Sequence, residues 1–266
     1  MSEIFQYDFM RHALLAAVLV GGICSIIGVY VVLKGLSFIG DGVAHASFGG
    51  VVLGFLLGIN PLVTSLLFAF IMVSLVSLFT GRGKMKTDPA IGVFFSFMMA
   101  LAILFIGLMR SYNAELYSYL FGSIISVTVN DLFIMLALGI LVLGTVVAFF
   151  KELLYVTFDP EMALASGIRA GHFNFLILAL LGLTIVISMK SVGMILVLAL
   201  IVIPASCAHQ LTRDIKMMFL LSPLFGISSS VGGLFLSYYF DLPSGATIVI
   251  ILTLIFFLTA AKRVKG

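Results

Sequence analysis

The sequence predicts an all-α, polytopic bundle of about eight to nine membrane-spanning helices. Of its 266 residues, 62% are hydrophobic and only 9% are charged, whereas a water-soluble domain carries roughly 25% charged residues. Apolar runs recur along the whole length, several of them close to the ~20 residues a helix needs to cross a hydrocarbon core. Lipid offers no partner for free backbone groups, so the helix is the default spanning element.

The spans are placed at 12–33, 40–58, 61–80, 89–109, 132–150, 173–189, 192–208, 217–239 and 245–261. The stretch 113–130 is apolar at its centre but polar at both ends, which predicts a re-entrant or interfacial segment. Residues 1–266 read as a single membrane domain whose longest non-spanning segment is about 151–172. The opening MSEIFQYDFMRHA lacks a basic region and a small-residue cleavage site, so no removable signal peptide is expected.

Lysine and arginine placement sets the orientation. If the loop holding Arg82, Lys84 and Lys86 is cytoplasmic, alternation also puts Lys34, Lys151, Arg169, Arg213, Lys216, Lys262, Arg263 and Lys265 inside. Only Arg11, Arg110 and Lys190 then lie outside. The N-terminus is predicted outside and the C-terminus in the cytoplasm. A net charge of +3 spread over short loops gives no contiguous basic face for nucleic acid.

Asp41 is the one acidic residue placed within a span and away from a clear loop, in KGLSFIGDGVAHASFGG. His45 follows four residues later, so on a helix both side chains share a face one turn apart. Ionisable groups in a span are costly and normally face a protein interior or a water-filled path. Carboxylate oxygen and imidazole nitrogen are also ligands that zinc and manganese accept. Two readings stand on spacing alone: metal passage, or a hydrogen-bonded pair that locks helices together. The surrounding glycines and alanines favour close helix approach.

The remaining candidates have plainer readings. His12, His172 and His209 fall at span ends or in loops. Thirteen methionines are scattered and read as core filler. Cys24 and Cys207 form no CxxC spacing and read as small buried hydrophobes. GRGK at 81–84 lacks the spacing of a phosphate-binding loop, and no HExxH or GxSxG occurs. An enzyme is therefore not expected, nor is a permanently bound cofactor.

The segment LLYVTFDPEMALASGIRAGHFN offers Asp159 as a helix cap, Pro160 and Glu161 in the first turn, and Gly167 at the helix end. It predicts a short helix between two spans, as a plain loop helix or as a docking surface.

At this point the sequence resembles the permease subunits of zinc and manganese ABC importers. The resemblance runs from about residue 7 to 261. Its motifs are GDGVAHAS, YLFGSI, TFDPEMALASGI, SVGMILVLALIVIPASCA and YYFDLPSGATIVI, in that order. It implies a fold related to the vitamin B12 and siderophore permeases, a bacterial cell membrane location and alternating access. It further implies a second copy of the chain, two cytoplasmic ATPase subunits and an extracytoplasmic metal-binding protein. Asp41 and His45 match the family's motif residues on the translocation path. Phe158, Asp159, Ala165 and Gly167, with Glu161, match the coupling helix within 157–170, which docks in the ATPase.

YDFMRHALLA, YLFGSI and YYFDLPSGATI are similar to the zinc branch, so zinc is the expected cargo, with manganese or ferrous iron as the alternative. A gradient-driven secondary transporter is the more distant reading. It would have no need of a coupling helix.

Overall fold

Long apolar segments with few charges fold here as helices that satisfy their own backbone hydrogen bonds. The computed structural model describes residues 8–81, 85–109, 115–122 and 127–264, and among them every regular element is helical. Arg82, Lys84, Arg110 and Lys265, used above for orientation, lie outside the described residues, as do the expectations for residues 1–7 and the end of YLFGSI.

Twelve helices follow one another: α1 (Asp8–Leu33), α2 (Ser37–Leu57), α3 (Pro61–Gly81), α4 (Thr87–Leu108), α5 (Glu115–Phe121), α6 (Val129–Ala148), α7 (Phe150–Phe158), α8 (Pro160–Ala165), α9 (Ala170–Val192), α10 (Met194–Leu211), α11 (Ile215–Phe240) and α12 (Ser244–Val264). Among the described residues, nine of these are long and apolar enough to cross a membrane, and they coincide with the nine expected spans. The seven-residue α5 is too short to cross, in keeping with a re-entrant or interfacial role. The sequence closed the fifth span at residue 150. Instead α6 breaks at Phe149 and the chain turns helical again as α7, burying Leu153 and Val156 while Lys151 and Tyr155 stay exposed.

The chain divides into two compact units. The first holds residues up to Val32, Ser118–Leu141 and Ile187 onward. Within it α1 meets α10 so closely that a Cβ on Gly28 would stand 1.9 Å from the Ile201 carbonyl oxygen. Small residues permit such contact between helices in lipid, where apolar attraction between them is weak. Ser222 Oγ of α11 donates to the Ser25 carbonyl of α1 at 2.8 Å, while Ser25 Oγ donates within α1 to Gly21 O at 2.6 Å and lies 3.5 Å from Leu200 O of α10. Cys24 and Cys207 are buried and free, as expected of small hydrophobes.

The second unit holds Leu33–Tyr117 and Val142–Val186. Its centre is α2, where a Cβ on Gly50 would lie 2.4 Å from the Thr64 carbonyl of α3. On α4 the buried positions are Ala90, Ile91, Met98 and Ala102, and most of the other side chains are at least partly exposed, as suits a helix with a lipid-facing surface. Met72 and Met98 fill this core, so methionine serves here as packing.

Candidate functional site

Asp41 and His45 lie in the second and third turns of α2, at its N-terminal end. The imidazole Nδ1 stands 2.9 Å from the Asp41 main-chain oxygen and 3.4 Å from Asp41 Oδ1. A carbonyl oxygen only accepts, so this contact assigns the ring proton to Nδ1 and leaves the Nε2 lone pair available to a cation. The ring edge rests on Phe95 of α4, with centroids 4.9 Å apart, which limits its rotation. The His45 side chain is 19% exposed and that of Asp41 46%. The pair therefore sits at the margin of its unit with an open carboxylate and a held imidazole.

This arrangement can offer a divalent cation one oxygen and one nitrogen from a single helix face. Among the described residues no group of three or more His, Cys, Asp or Glu side chains converges. A closed structural site needs about four ligands, whereas a site on a conduction path must bind weakly enough to release. His172 and His209 are exposed and His12 half-buried, so none of them joins Asp41 and His45 in a cluster.

The expected docking segment is built as its sequence suggested. Asp159 Oδ1 accepts from the Met162 N–H at 2.9 Å, with Pro160 in the first turn. At the other end Gly167 takes a left-handed φ of +81°. Its N–H bonds Leu164 O and the next N–H, of Ile168, bonds Ala163 O, which together end the helix. Ala163 packs into a small core with Val156 of α7 and Ala170 of α9. Phe158, Asp159, Glu161, Ala165 and Gly167 are all exposed. So are Met162 and Leu164, at 62% and 61%. The sequence reading passed over these two as surface groups, although their spacing around the buried Ala163 places them outward.

Two further groupings escaped the sequence reading. Lys34, counted only as a basic loop residue, donates to the Val156 carbonyl at 3.1 Å and to Asn174 Oδ1 at 2.6 Å. A cavity of about 300 Å³ beside it is lined by Lys34, Ser77, Thr80, Thr87, Gly171 and Asn174, among others. The α1–α2 turn, the end of α3 and the starts of α4 and α9 thus line one cavity in the second unit. In the first unit Lys190 of α9 pairs with Asp131 of α6 at 2.5 Å. Thr128 Oγ1 donates to Asp131 Oδ2 at 2.7 Å, and the Asp131 N–H bonds back to Thr128 Oγ1 at 3.2 Å. The Thr-x-x-Asp pattern before an apolar run is a helix-start signal that could have revealed this box.

Comparison with known proteins adds the context. Residues 6–263 match the ABC 3 transport family. The chain is 37% identical to the manganese import system permease protein ScaB of Streptococcus gordonii over 95% of this chain and 91% of that one. It is 34% identical to the manganese transport system membrane protein MntC of Halalkalibacterium halodurans over 96% and 87%. Among solved structures, PsaBC from Streptococcus pneumoniae in complex with Fab superposes with a TM-score of 0.86 at 34% identity, covering 97% of this chain and 93% of that one.

Proposed function

Since the chain belongs to the ABC 3 transport family, we propose that it is the membrane permease of an ATP-driven manganese importer that works by alternating access. It is a transport subunit and not an enzyme, and ATP is hydrolysed on a separate chain. The observation that carries the site is the α2 pair: Asp41 Oδ and His45 Nε2 replace part of the ion's hydration shell, and water or a second copy of the chain supplies the rest. Manganese takes the place of the zinc expected from sequence, because the relatives ScaB and MntC are named for manganese. The chemistry agrees. An oxygen-and-nitrogen site that leaves water on the ion suits manganese, whereas zinc would gain more from a closed tetrahedral set.

The N-terminus lies outside and the C-terminus in the cytoplasm. The gathering of Lys34, Thr87 and Asn174 around one cavity supports the alternation that puts these helix ends on one side, and the positive-inside rule makes that side cytoplasmic. There α8, exposing Phe158, Asp159, Glu161, Met162, Leu164, Ala165 and Gly167, acts as the coupling helix of each of two permease copies and docks in one of two ATPases. A metal-binding protein delivers the ion at the outer face. Closure of the ATPases moves α8, and the path past Asp41 and His45 opens inward.

The test is uptake of radioactive manganese into cells expressing this chain with its ATPase and binding protein, with excess zinc as competitor. Uptake that needs ATP hydrolysis and survives zinc supports the reading. Suppression by zinc returns the cargo to zinc, and indifference to hydrolysis removes the ABC mechanism.

A further inference from the structure

We propose that Lys34 is a positioning residue that staples both arms of the α8 segment to the start of α2, so that motion at α8 reaches Asp41 and His45. The inference rests on the reading of α8 as the ATPase dock. Lys34 occupies the short turn between α1 and α2, and Gly35 beside it takes a φ of +65° that closes the turn. Its amine donates to Val156 in α7, just before α8, and to Asn174 in α9, just after it. The two arms are not loose: Val156, Ala163 and Ala170 form one small core with Ile168 and Phe173 against it. A push on the exposed face of α8 therefore moves α7, α8 and the start of α9 together.

Among the described residues, Lys34 is a polar link from that body to the helix bearing the candidate metal pair. Asp41 lies in the second turn of α2, a few residues past Lys34. One partly buried amine bonded to two acceptors keeps a partner when either distance lengthens, so the link persists through small displacements. A hydrophobic contact would slide under the same load, whereas two directed bonds from one amine fix both distances and direction.

The experiment reconstitutes the complete importer, with ATPase and binding protein, in liposomes and reads manganese taken up per ATP hydrolysed. Liposomes are loaded only with complex isolated by size as the full assembly, so free ATPase adds no uncoupled hydrolysis to the ratio. Lys34→Met keeps the stem and removes the donors, and the ratio is expected to fall about tenfold while hydrolysis continues, within the usual range of coupling between sites. Lys34→Arg restores donors and should recover most of the ratio. Asn174→Leu removes one anchor and should fall between them.

An unchanged ratio in Lys34→Met overturns the staple. So does a parallel loss of uptake and hydrolysis, because that marks a merely structural lysine. Separately, Met162→Glu combined with Leu164→Glu should release the ATPase on co-purification. If the ATPase stays bound, the docking reading itself fails and the route through Lys34 fails with it.

Discussion

Two ionic pairs in this chain are built in opposite ways. Asp41 and His45 share one helix, stand 3.4 Å apart and keep a carboxylate that is 46% exposed. Asp131 and Lys190 come from two helices, meet at 2.5 Å and hold a carboxylate only 9% exposed, with Thr128 completing its bonds. The second pair has its hydrogen bonds made within the protein and secures α6 to α9. The first leaves an imidazole nitrogen and a carboxylate uncommitted in a costly place, an arrangement that stability does not explain. The proposed ligand role would use those open groups.

The largest effect should follow from deleting the underused pair. Asp41→Ala with His45→Ala is expected to lower manganese uptake about 100-fold, since weakening even the groups around a metal ligand costs 10–100-fold. Folded stability should fall by only about 1 kcal/mol, from the His45 ring and its Phe95 contact, because the half-exposed carboxylate adds little. Transport assays beside thermal unfolding of the purified protein would separate the two quantities. Full uptake in the double variant at equal expression would end the ligand role.

The satisfied pair should answer in the reverse sense. Lys190→Met leaves the Asp131 carboxylate buried without its cation and should destabilise the protein by about 2 kcal/mol, below the range for fully buried pairs because Lys190 is half-exposed. Uptake per folded chain should be retained. Loss of uptake without loss of stability would place Asp131 and Lys190 in the transport path and erase the contrast.

What sequence could reveal divides along the same line. The nine spans were legible because length and apolarity suffice to identify them, and the Asp41–His45 spacing needs only one helix to be meaningful. Asp131 and Lys190 lie 59 positions apart, and Lys34 stands 122 and 140 positions from its acceptors. No local period reports such contacts. The break between α6 and α7 was also hidden, because apolar residues continue across Phe149 and the helix stops on a backbone angle. The bounds of α8 could be read because a cap, a proline and a glycine are local signals, whereas its outward Met162 and Leu164 were not. Motif likeness favours zinc whereas the relatives' names favour manganese, because the N/O ligand pair carries too little chemistry to separate the two.

A smaller effect tests how much of the Asp131 arrangement is helix capping. Thr128→Ala removes the hydroxyl that both donates to Asp131 Oδ2 and accepts from the Asp131 N–H. Loss of one N-cap should cost about 1 kcal/mol. The drop should be smaller than that of Lys190→Met in the same unfolding assay. Equal drops would mean that the ion pair adds nothing beyond the cap.

The smallest effect concerns the two lysines. Lys190 has a carboxylate partner, whereas the partners of Lys34 are two neutral oxygens, and burial lowers the Lys34 pKa from 10.5 to about 8. Below about 8 the amine is charged whether the chain is folded or unfolded, and the burial penalty is present in full. Between about 8 and 10.5 the unfolded chain holds a proton that the folded chain has released, so stability rises with pH across that window. The apparent unfolding temperature of the wild type should therefore rise relative to that of Lys34→Met between about pH 7.5 and 9.5. Other titrating groups are common to both proteins and cancel in the difference. A neutral amine still carries two N–H donors for its two acceptors, so manganese transported per ATP should hold steady over the same range. A coupling ratio that collapsed with deprotonation would mean that the charge on Lys34, and not its two directed bonds, joins α8 to α2.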